Sequence, residues 1–319
     1  MIASPAYLKT LSRVALVLFL VFAGQNGFAG QPPLNLEIQR REGAQSITVN
    51  EMVFHTTANE VVNLRLVQVS GSTAWVALWD ERPGAGNDLP YYAISLDGQS
   101  VSTVKQTSYD ILLRYSRFDP ATREPVVPSG LTATPSGNVY IVQFVTQPLE
   151  EYRRQIAALG GQIFKYMPNH AYLVKMSAES RDKVDDLPFV RWVGHYETVY
   201  KLEEFLFEEF VAARLTPNQP SAPSRYNIQL MDRGAELQTG VVQRIQAVGG
   251  KVDATDPQSI LIEATLTPEQ LMQVAQADPV LFIDRWTPGE TDMDIVRQIG
   301  GGLLLDTYGV SGAGVRGEV

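Results

Sequence analysis

The sequence predicts an α+β protein in which two tandem copies of one β-α-β-β-α-β unit follow a small antiparallel β module. Three observations carry this prediction. Apolar and polar residues alternate across residues 34–118, a longer pattern is shared by residues 138–200 and 225–287, and paired glycines close the first helix of each copy. With 45% hydrophobic and 19% charged residues, the chain has enough apolar side chain for several cores.

The bulk charge and the absence of cysteine exclude several classes of function. The formal charge is -9, and an acidic chain repels phosphate groups, so nucleic acid is not expected as a partner. A chain without cysteine has no disulfide, no thiolate zinc site and no cysteine nucleophile. No motif for a cofactor or a metal ion stands out, so neither is expected.

The first 29 residues (1–29) have the order of a secretory signal peptide. Lys9 and Arg13 precede an apolar run over residues 14–23, and a small-x-small ending follows at Gly27-Phe28-Ala29. Such a run is too short to span about 30 Å of hydrocarbon, although an uncleaved anchor is the alternative. We predict cleavage between Ala29 and Gly30 and a secreted protein, extracellular or periplasmic, with no stable membrane anchor.

Residues 34–118 are predicted to form a β-rich module of five or six strands. Trp75 and Trp79 would share one face of a strand and fill its core, with an exposed aromatic platform for sugar or peptide as the alternative. Prolines and Ser-Gly pairs make residues 119–137 a linker. The module's role is not evident from the sequence.

Several acidic residues and three histidines are candidate site residues. Three carboxylates lie in a Pro/Gly-rich loop, where their spacing matches no calcium-binding loop: Asp80, Glu81 and Asp88. The histidines are dispersed, and each is expected to be a surface or capping residue: His55, His170 and His195. No catalytic, cofactor or metal site is therefore predicted in this chain.

The two copies agree in the order and spacing of their features. Each opens with a strand that has Tyr first and Gln fourth, starting at Tyr140 and Tyr226. The first helix of each ends at a glycine pair, Gly160-Gly161 and Gly249-Gly250, where glycine adopts the left-handed conformation that closes a helix. The order is that of a ferredoxin-like module, in which both helices cover one sheet face and the other face is left to cover a partner.

The copies are joined by residues 201–224, which are predicted to form an acidic helix and a Pro-rich linker. The helix has apolar residues at helical spacing and four interleaved carboxylates: Glu203, Glu204, Glu208 and Glu209. Metal binding is the alternative, but neighbouring carboxylates on a helix cannot all converge on one point, so a solvated helix face is expected.

The second copy resembles the propeptide domain that precedes the catalytic domain of subtilisin-like serine proteases, and the first copy looks like another version of it. The resemblance rests on the Tyr-x-Ile-Gln-Leu strand from Tyr226, the Gly249-Gly250 helix end and the Asp-Pro-Val-x-x-Ile strand ending at Ile283. Residues 308–319, with Gly312-Ala313-Gly314-Val315, are similar to the family's lead-in to its first catalytic strand. Residues 288–319 would then hold the processing region and the start of a truncated catalytic domain.

The resemblance implies the pro-region of a secreted subtilisin-like endopeptidase, acting as intramolecular chaperone and temporary inhibitor of its own downstream catalytic domain. The Asp, His and Ser triad would follow Val319, so this chain by itself is expected to be inactive; the full-length enzyme would cut peptides and proteins. The product-like tail that enters the cleft would be formed by Asp284, Arg285, Trp286 and Thr287, with the processing bond between Trp286 and Ile295. A stand-alone secreted protease inhibitor and a tandem ferredoxin-like binding or regulatory protein are the alternatives.

Overall fold

A computed structural model describes residues 34–41, 43–114, 116–215 and 222–288. The predicted signal peptide, its Ala29–Gly30 cleavage site and the predicted processing region from residue 289 lie outside these ranges. The described chain combines helices with several small antiparallel sheets, which confirms the α+β class. It divides into two compact units, Met1–Ala58 and Asn59–Val319.

The first unit contains three strands that form an antiparallel sheet in the order β1-β2-β3. The strands are β1 (Leu36–Arg41), β2 (Ala44–Val49) and β3 (Met52–Thr57). The alternation predicted from the sequence appears at Ile47 and Val49, which are buried apolar residues of the central strand.

The second unit opens with a four-stranded antiparallel sheet in chain order and a two-stranded hairpin. The strands are β4 (Glu60–Gln68), β5 (Trp75–Arg82), β6 (Leu89–Ser95), β7 (Thr103–Gln106), β8 (Ile111–Leu112) and β9 (Arg117–Phe118). Trp75 and Trp79 are buried, as predicted. The region predicted as one module of five or six strands thus holds nine strands in three sheets.

The rest of the second unit contains two β-α-β-β-α-β segments. Module 1 consists of β10 (Val139–Phe144), α1 (Glu150–Ala158), β11 (Gln162–Met167), β12 (Ala171–Lys175), α2 (Ala178–Asp185) and β13 (Val190–His195). Module 2 consists of β14 (Ser224–Leu230), α4 (Ala235–Ala247), β15 (Lys251–Thr255), β16 (Leu261–Leu266), α5 (Pro268–Ala275) and β17 (Val280–Arg285). The first sheet has the order β11-β12-β10-β13 and the second the order β15-β16-β14-β17, so both modules share one topology. A 3-10 helix (Thr198–Lys201) and α3 (Glu204–Leu215) join them.

The repeat extends to irregular details of the backbone. The central strand of each sheet shifts register at the same place, between Gln143 and Phe144 in module 1 and between Gln229 and Leu230 in module 2. The second glycine of each pair donates its N–H to an isoleucine carbonyl five residues earlier, at 2.9 Å in both copies. Short second helices begin at a side-chain N-cap, Ser177 in α2 and Thr267 in α5.

The second glycine of the pair in module 2, Gly250, is close-packed, whereas Gly240 in α4 is not. Alanine should therefore have opposite effects on stability at these two positions. A Cβ on Gly250 would lie 2.2 Å from Leu266 Cδ2, whereas a Cβ on Gly240, in the exposed middle of α4, would meet nothing. We expect Gly250→Ala to lower the free energy of unfolding by about 1–3 kcal/mol and Gly240→Ala to raise it by up to about 1 kcal/mol. Urea denaturation checks both, and equal effects would contradict the packing at Gly250.

Candidate functional site

The two sheets have equivalent faces on the side away from their helices, and these faces differ in what covers them. In module 2, Tyr226, Ile228 and Leu230 of β14 are buried beneath the helices. The alternate residues Arg225, Asn227 and Gln229 therefore point to the other side, where they are only half-buried. This side, here called the free face of the second sheet, is the candidate functional site.

Outward side chains of β17 and the residue after it are each held by a partner on this face. The Phe282 ring lies beneath the Arg114 guanidinium, with 4.6 Å from Cζ to the ring centroid. Asp284 Oδ1 accepts a hydrogen bond of 2.7 Å from Asn227 Nδ2. The Trp286 ring lies beneath Arg225, with 4.2 Å from Cζ to the centroid. The aromatic rings are thus fixed in place, as suits a preorganised binding surface.

Charged residues of the neighbouring strands complete the face. Arg225 forms an ion pair with Glu263 and has its Nε 4.0 Å from Asp253 Oδ2. Asp253 also accepts hydrogen bonds from Lys251 Nζ at 2.7 Å and Thr265 Oγ1 at 2.6 Å. These two bonds, Lys251 first, hold the pKa of Asp253 below its usual range, so the carboxylate stays charged at neutral pH. The arrangement is a fixed set of charges around aromatic rings, suited to recognition of another surface.

The four residues of the predicted product-like tail differ in whether they pair with the sheet. Asp284 and Arg285 belong to β17, and pairing continues to Trp286, whose N–H donates to Arg225 O at 3.0 Å. The strand is longer than expected because Asp284 bonds Asn227 and Arg285 is anchored on its own side by an ion pair. Only Thr287 of the four predicted tail residues is exposed and outside the strand pairing. Its role as part of an inhibitory tail stays a prediction.

The acidic helix α3 anchors the closing strand, which the sequence did not predict. Glu209 accepts two hydrogen bonds of 2.9 Å from Arg285 Nη2, and Glu203 Oε2 accepts one of 3.1 Å from the Arg285 N–H. Two of the four carboxylates therefore converge on one arginine, and only Glu204 and Glu208 fit the expected solvated face. The outer edge of β17 is also paired at one point, where Leu202 bridges Ile283.

In module 1 the equivalent sheet face is covered. Its apolar residues pack against Ile111 and Phe118 of the β8–β9 hairpin and belong to one buried cluster: Val139, Ile141, Ala171 and Leu173. The Trp192 ring meets the Phe118 ring edge to face at 6.2 Å, and its Nε1 donates to Glu124 Oε1 at 2.7 Å. The first sheet thus has no comparable free face.

Two glutamines at equivalent positions show that the two faces differ in burial. Gln143 is fully buried, donating to Tyr109 O at 2.8 Å and accepting from Arg191 Nη1 at 3.0 Å. Arg191 is in turn paired with Asp119 at 2.7 Å and lies over the Tyr109 ring. Gln229 holds the same register position in module 2 and is half-buried.

The histidines do not form a common site. His170 lies in the β11–β12 turn and is buried, not at the surface as predicted, with Nε2 2.5 Å from Thr107 Oγ1 and its ring edge-on to Tyr92. Burial lowers its pKa to about 4. His195 is exposed at the end of β13, and His55 lies in β3 of the other unit.

The three carboxylates weighed as a calcium site are engaged separately. Asp80 and Glu81 lie inside β5 and not in a loop, where Asn63 and Asn59 bond them. Asp88 accepts two hydrogen bonds from Arg82. Among the residues that the structure describes, no group of three His, Asp or Glu side chains could hold a metal ion.

An open cleft of about 540 Å³ lies between the two modules. It is lined by Ser136 and Lys175 of one side and by Arg244 and Asp278 of the other. Behind it, Lys201 is almost completely buried, and its Nζ donates to Ala277 O at 3.0 Å. Burial lowers the pKa of Lys201 to about 8. The cleft thus has groups of both modules around one space.

Comparison with known proteins finds a match to one family model. A family described as a domain of unknown function (DUF8729) matches residues 112–197, which span the β8–β9 hairpin, the connector and module 1. No curated protein and no solved structure matches the chain. Within the described ranges, no helix is long and apolar enough to cross a membrane.

Proposed function

We propose that this chain is the pro-region of a secreted subtilisin-like serine endopeptidase, with two ferredoxin-like modules of which the second docks on the catalytic domain. The observation that carries the proposal is the free face of the second sheet. Its rings and charges are preorganised, and Trp286 lies on it directly before the exposed Thr287, the first residue that can leave the sheet. A partner held on this face would receive the following residues as an added strand.

In this proposal the module inhibits by occupying the substrate cleft as a product that has not left. Main-chain pairing of the residues after Trp286 supplies affinity, and alternate side chains enter the substrate pockets. The same docking favours folding of the catalytic domain, because a large parallel α/β domain has many long-range contacts and folds slowly. The chain itself supplies no nucleophile turn of the Gly-Thr-Ser type, so it acts by binding and not by cleavage.

Inhibition in trans tests the proposal. We expect residues 30–319 to inhibit a bacterial subtilisin at micromolar concentration or below. Arg225→Ala removes the residue that joins Trp286 to Glu263, and should weaken inhibition roughly 30-fold, the loss typical of a central interface residue. Arg153→Ala, on the helix side of module 1, is the matched control and should leave inhibition unchanged. Equal inhibition by both variants, or none by the unaltered chain at 100-fold higher concentration, would contradict the proposal.

The coding sequence after the codon for Val319 gives a second test. We expect it to encode an Asp, His and Ser triad in the order of subtilisin-like enzymes. A stop codon directly after this segment would favour a stand-alone inhibitor, which keeps the docking face but loses the catalytic domain.

The cleft between the modules favours a second candidate, a tandem ferredoxin-like binding or regulatory protein. Lys175 and Arg244 give the cleft two basic side chains against one carboxylate, Asp278, which accepts from the Asn138 N–H, so its ligand would be a small anion. In that case phosphate or a dicarboxylate should raise the melting temperature of the chain, and Lys175→Ala should abolish the rise. If neither probe changes the melting temperature, the second candidate fails and only the docking proposal remains.

A further inference from the structure

We infer that residues 109–124, here called the strap, act as an intramolecular ligand of the first sheet. All of them except residue 115 are described. The strap includes the β8–β9 hairpin and covers in module 1 the face that is equivalent to the free face of module 2. On that second face the strap contributes Arg114, which lies over the Phe282 ring. Only the second module is then open to a partner, and this last step rests on the proposed function.

The contacts of the strap are those of an interface. At its centre Ile111 is fully buried and Phe118 nearly so, both packed on the apolar residues of the sheet. Around this centre lie the Arg191–Asp119 ion pair and the Trp192–Glu124 hydrogen bond. An apolar centre with a polar rim is the usual anatomy of a surface that excludes water and binds specifically.

The sequences of the two faces agree with this difference in cover. At matched register positions, Ile141 and Leu173 of the first sheet correspond to Asn227 and Glu263 of the second. Gly194 corresponds to Asp284, and a Cβ on Gly194 would lie 2.0 Å from the Trp192 ring, so glycine is needed where the tryptophan lies flat. The first face is built for permanent cover and the second for a partner that comes from solution.

The family match supports the strap as part of module 1. The matched residues, 112–197, begin at the second residue of β8 and end two residues after β13, so most of the strap, without Tyr109 and Ile111, lies in one family match with the connector and module 1. A sheet face that the strap already covers needs no partner from solution. Module 1 would then serve as a scaffold that carries module 2.

Thiol labelling of single-cysteine variants tests the strap without any protease. The chain has no cysteine, so one thiol can be placed at each of two matched positions, Ala171 under the strap and Leu261 on the free face. In residues 30–319 we expect iodoacetamide to react with Ala171→Cys at least 100-fold more slowly than with Leu261→Cys. Similar rates for the two variants would overturn the inference.

Release of the strap completes the experiment. Phe118→Asp places a charge in the apolar contact and should speed labelling of Ala171→Cys at least tenfold, while labelling of Leu261→Cys stays within twofold. Asp119→Asn, which removes the charge that pairs with Arg191, should act in the same direction more weakly and serves if Phe118→Asp does not fold. Unchanged protection of Ala171→Cys in both variants would contradict the strap.

A protease arm separates this inference from the proposed function. Titration of the unaltered chain with subtilisin should give one enzyme per chain, and two enzymes per chain would show that the first face also binds. If no complex forms while the labelling results hold, the strap stands and the docking proposal fails.

Discussion

Replacing Tyr152 with alanine is expected to lower the free energy of unfolding by about 3–5 kcal/mol, the usual cost of truncating a buried aromatic residue. Tyr152 is fully buried on α1, with its ring stacked on Phe189 at 4.1 Å and 4°. Its hydroxyl lies 3.2 Å from Thr146 Oγ1, so Tyr152→Phe should cost only about 1 kcal/mol. Urea denaturation followed by far-UV circular dichroism measures both.

The Tyr152 variant should also weaken the β4–β7 sheet, because that sheet and module 1 share one core. Val76, Leu78 and Tyr92 belong to the same buried cluster as Tyr152. Gln155 Nε2 of α1 donates to Ser70 O at 3.0 Å. Hydrogen exchange should therefore show strands β4–β7 and module 1 losing protection together.

A tyrosine on the edge strand of the same module provides the control. Tyr166 is 55% exposed on β11, so Tyr166→Ala should cost less than about 1 kcal/mol. Equal losses for Tyr152→Ala and Tyr166→Ala would contradict the shared core, as would a loss of protection limited to α1.

The repeat could be predicted from sequence because its signals are local. Glycine at φ +88° and +81° ends the first helix of each module, and few other residues adopt this conformation. Short runs of β-type residues, with Tyr first and Gln fourth, likewise identified the central strands starting at Tyr140 and Tyr226. These signals depend on backbone preference and periodicity, which a chain shows within a few residues.

The strap could not be predicted, because its contacts join residues far apart in sequence. Asp119 and Arg191 are separated by 72 positions, and Trp192 and Glu124 by 68. A connector rich in proline looks the same whether it is solvated or lies across a sheet. The one available signal was the contrast between the apolar Ile141 and the polar Asn227 at matched positions, which differ as covered and free faces should.

The length of the closing strand escaped prediction for a related reason. Asp284 and Arg285 are polar, and polar residues after an apolar strand suggest a turn or a tail. Here each has a specific partner, Asn227 beside it and Glu209 from α3, and these bonds keep both residues in the sheet. Pairing in three dimensions outweighed local composition.

His170 is expected to make the protein less stable in mild acid. Its pKa is lowered from 6.5 to about 4, mainly by burial and further by Lys105. Between these values the unfolded chain binds a proton that the folded chain excludes, so stability is fully present above pH 6.5 and is lost as the pH falls towards 4. The loss from this group is about 3 kcal/mol at pH 4, from the free energy of about 1.4 kcal/mol per pKa unit.

Comparison with a variant isolates this contribution from that of the carboxylates. Asn tolerates the left-handed backbone of this position, where φ is 71°, so His170→Asn keeps the turn while removing the titrating ring. The difference in unfolding free energy between pH 7.5 and pH 4.5 should therefore be smaller in His170→Asn than in the unaltered chain by about 2–3 kcal/mol. If His170→Asn responds to pH as the unaltered chain does, His170 is not the group that makes the protein less stable in mild acid.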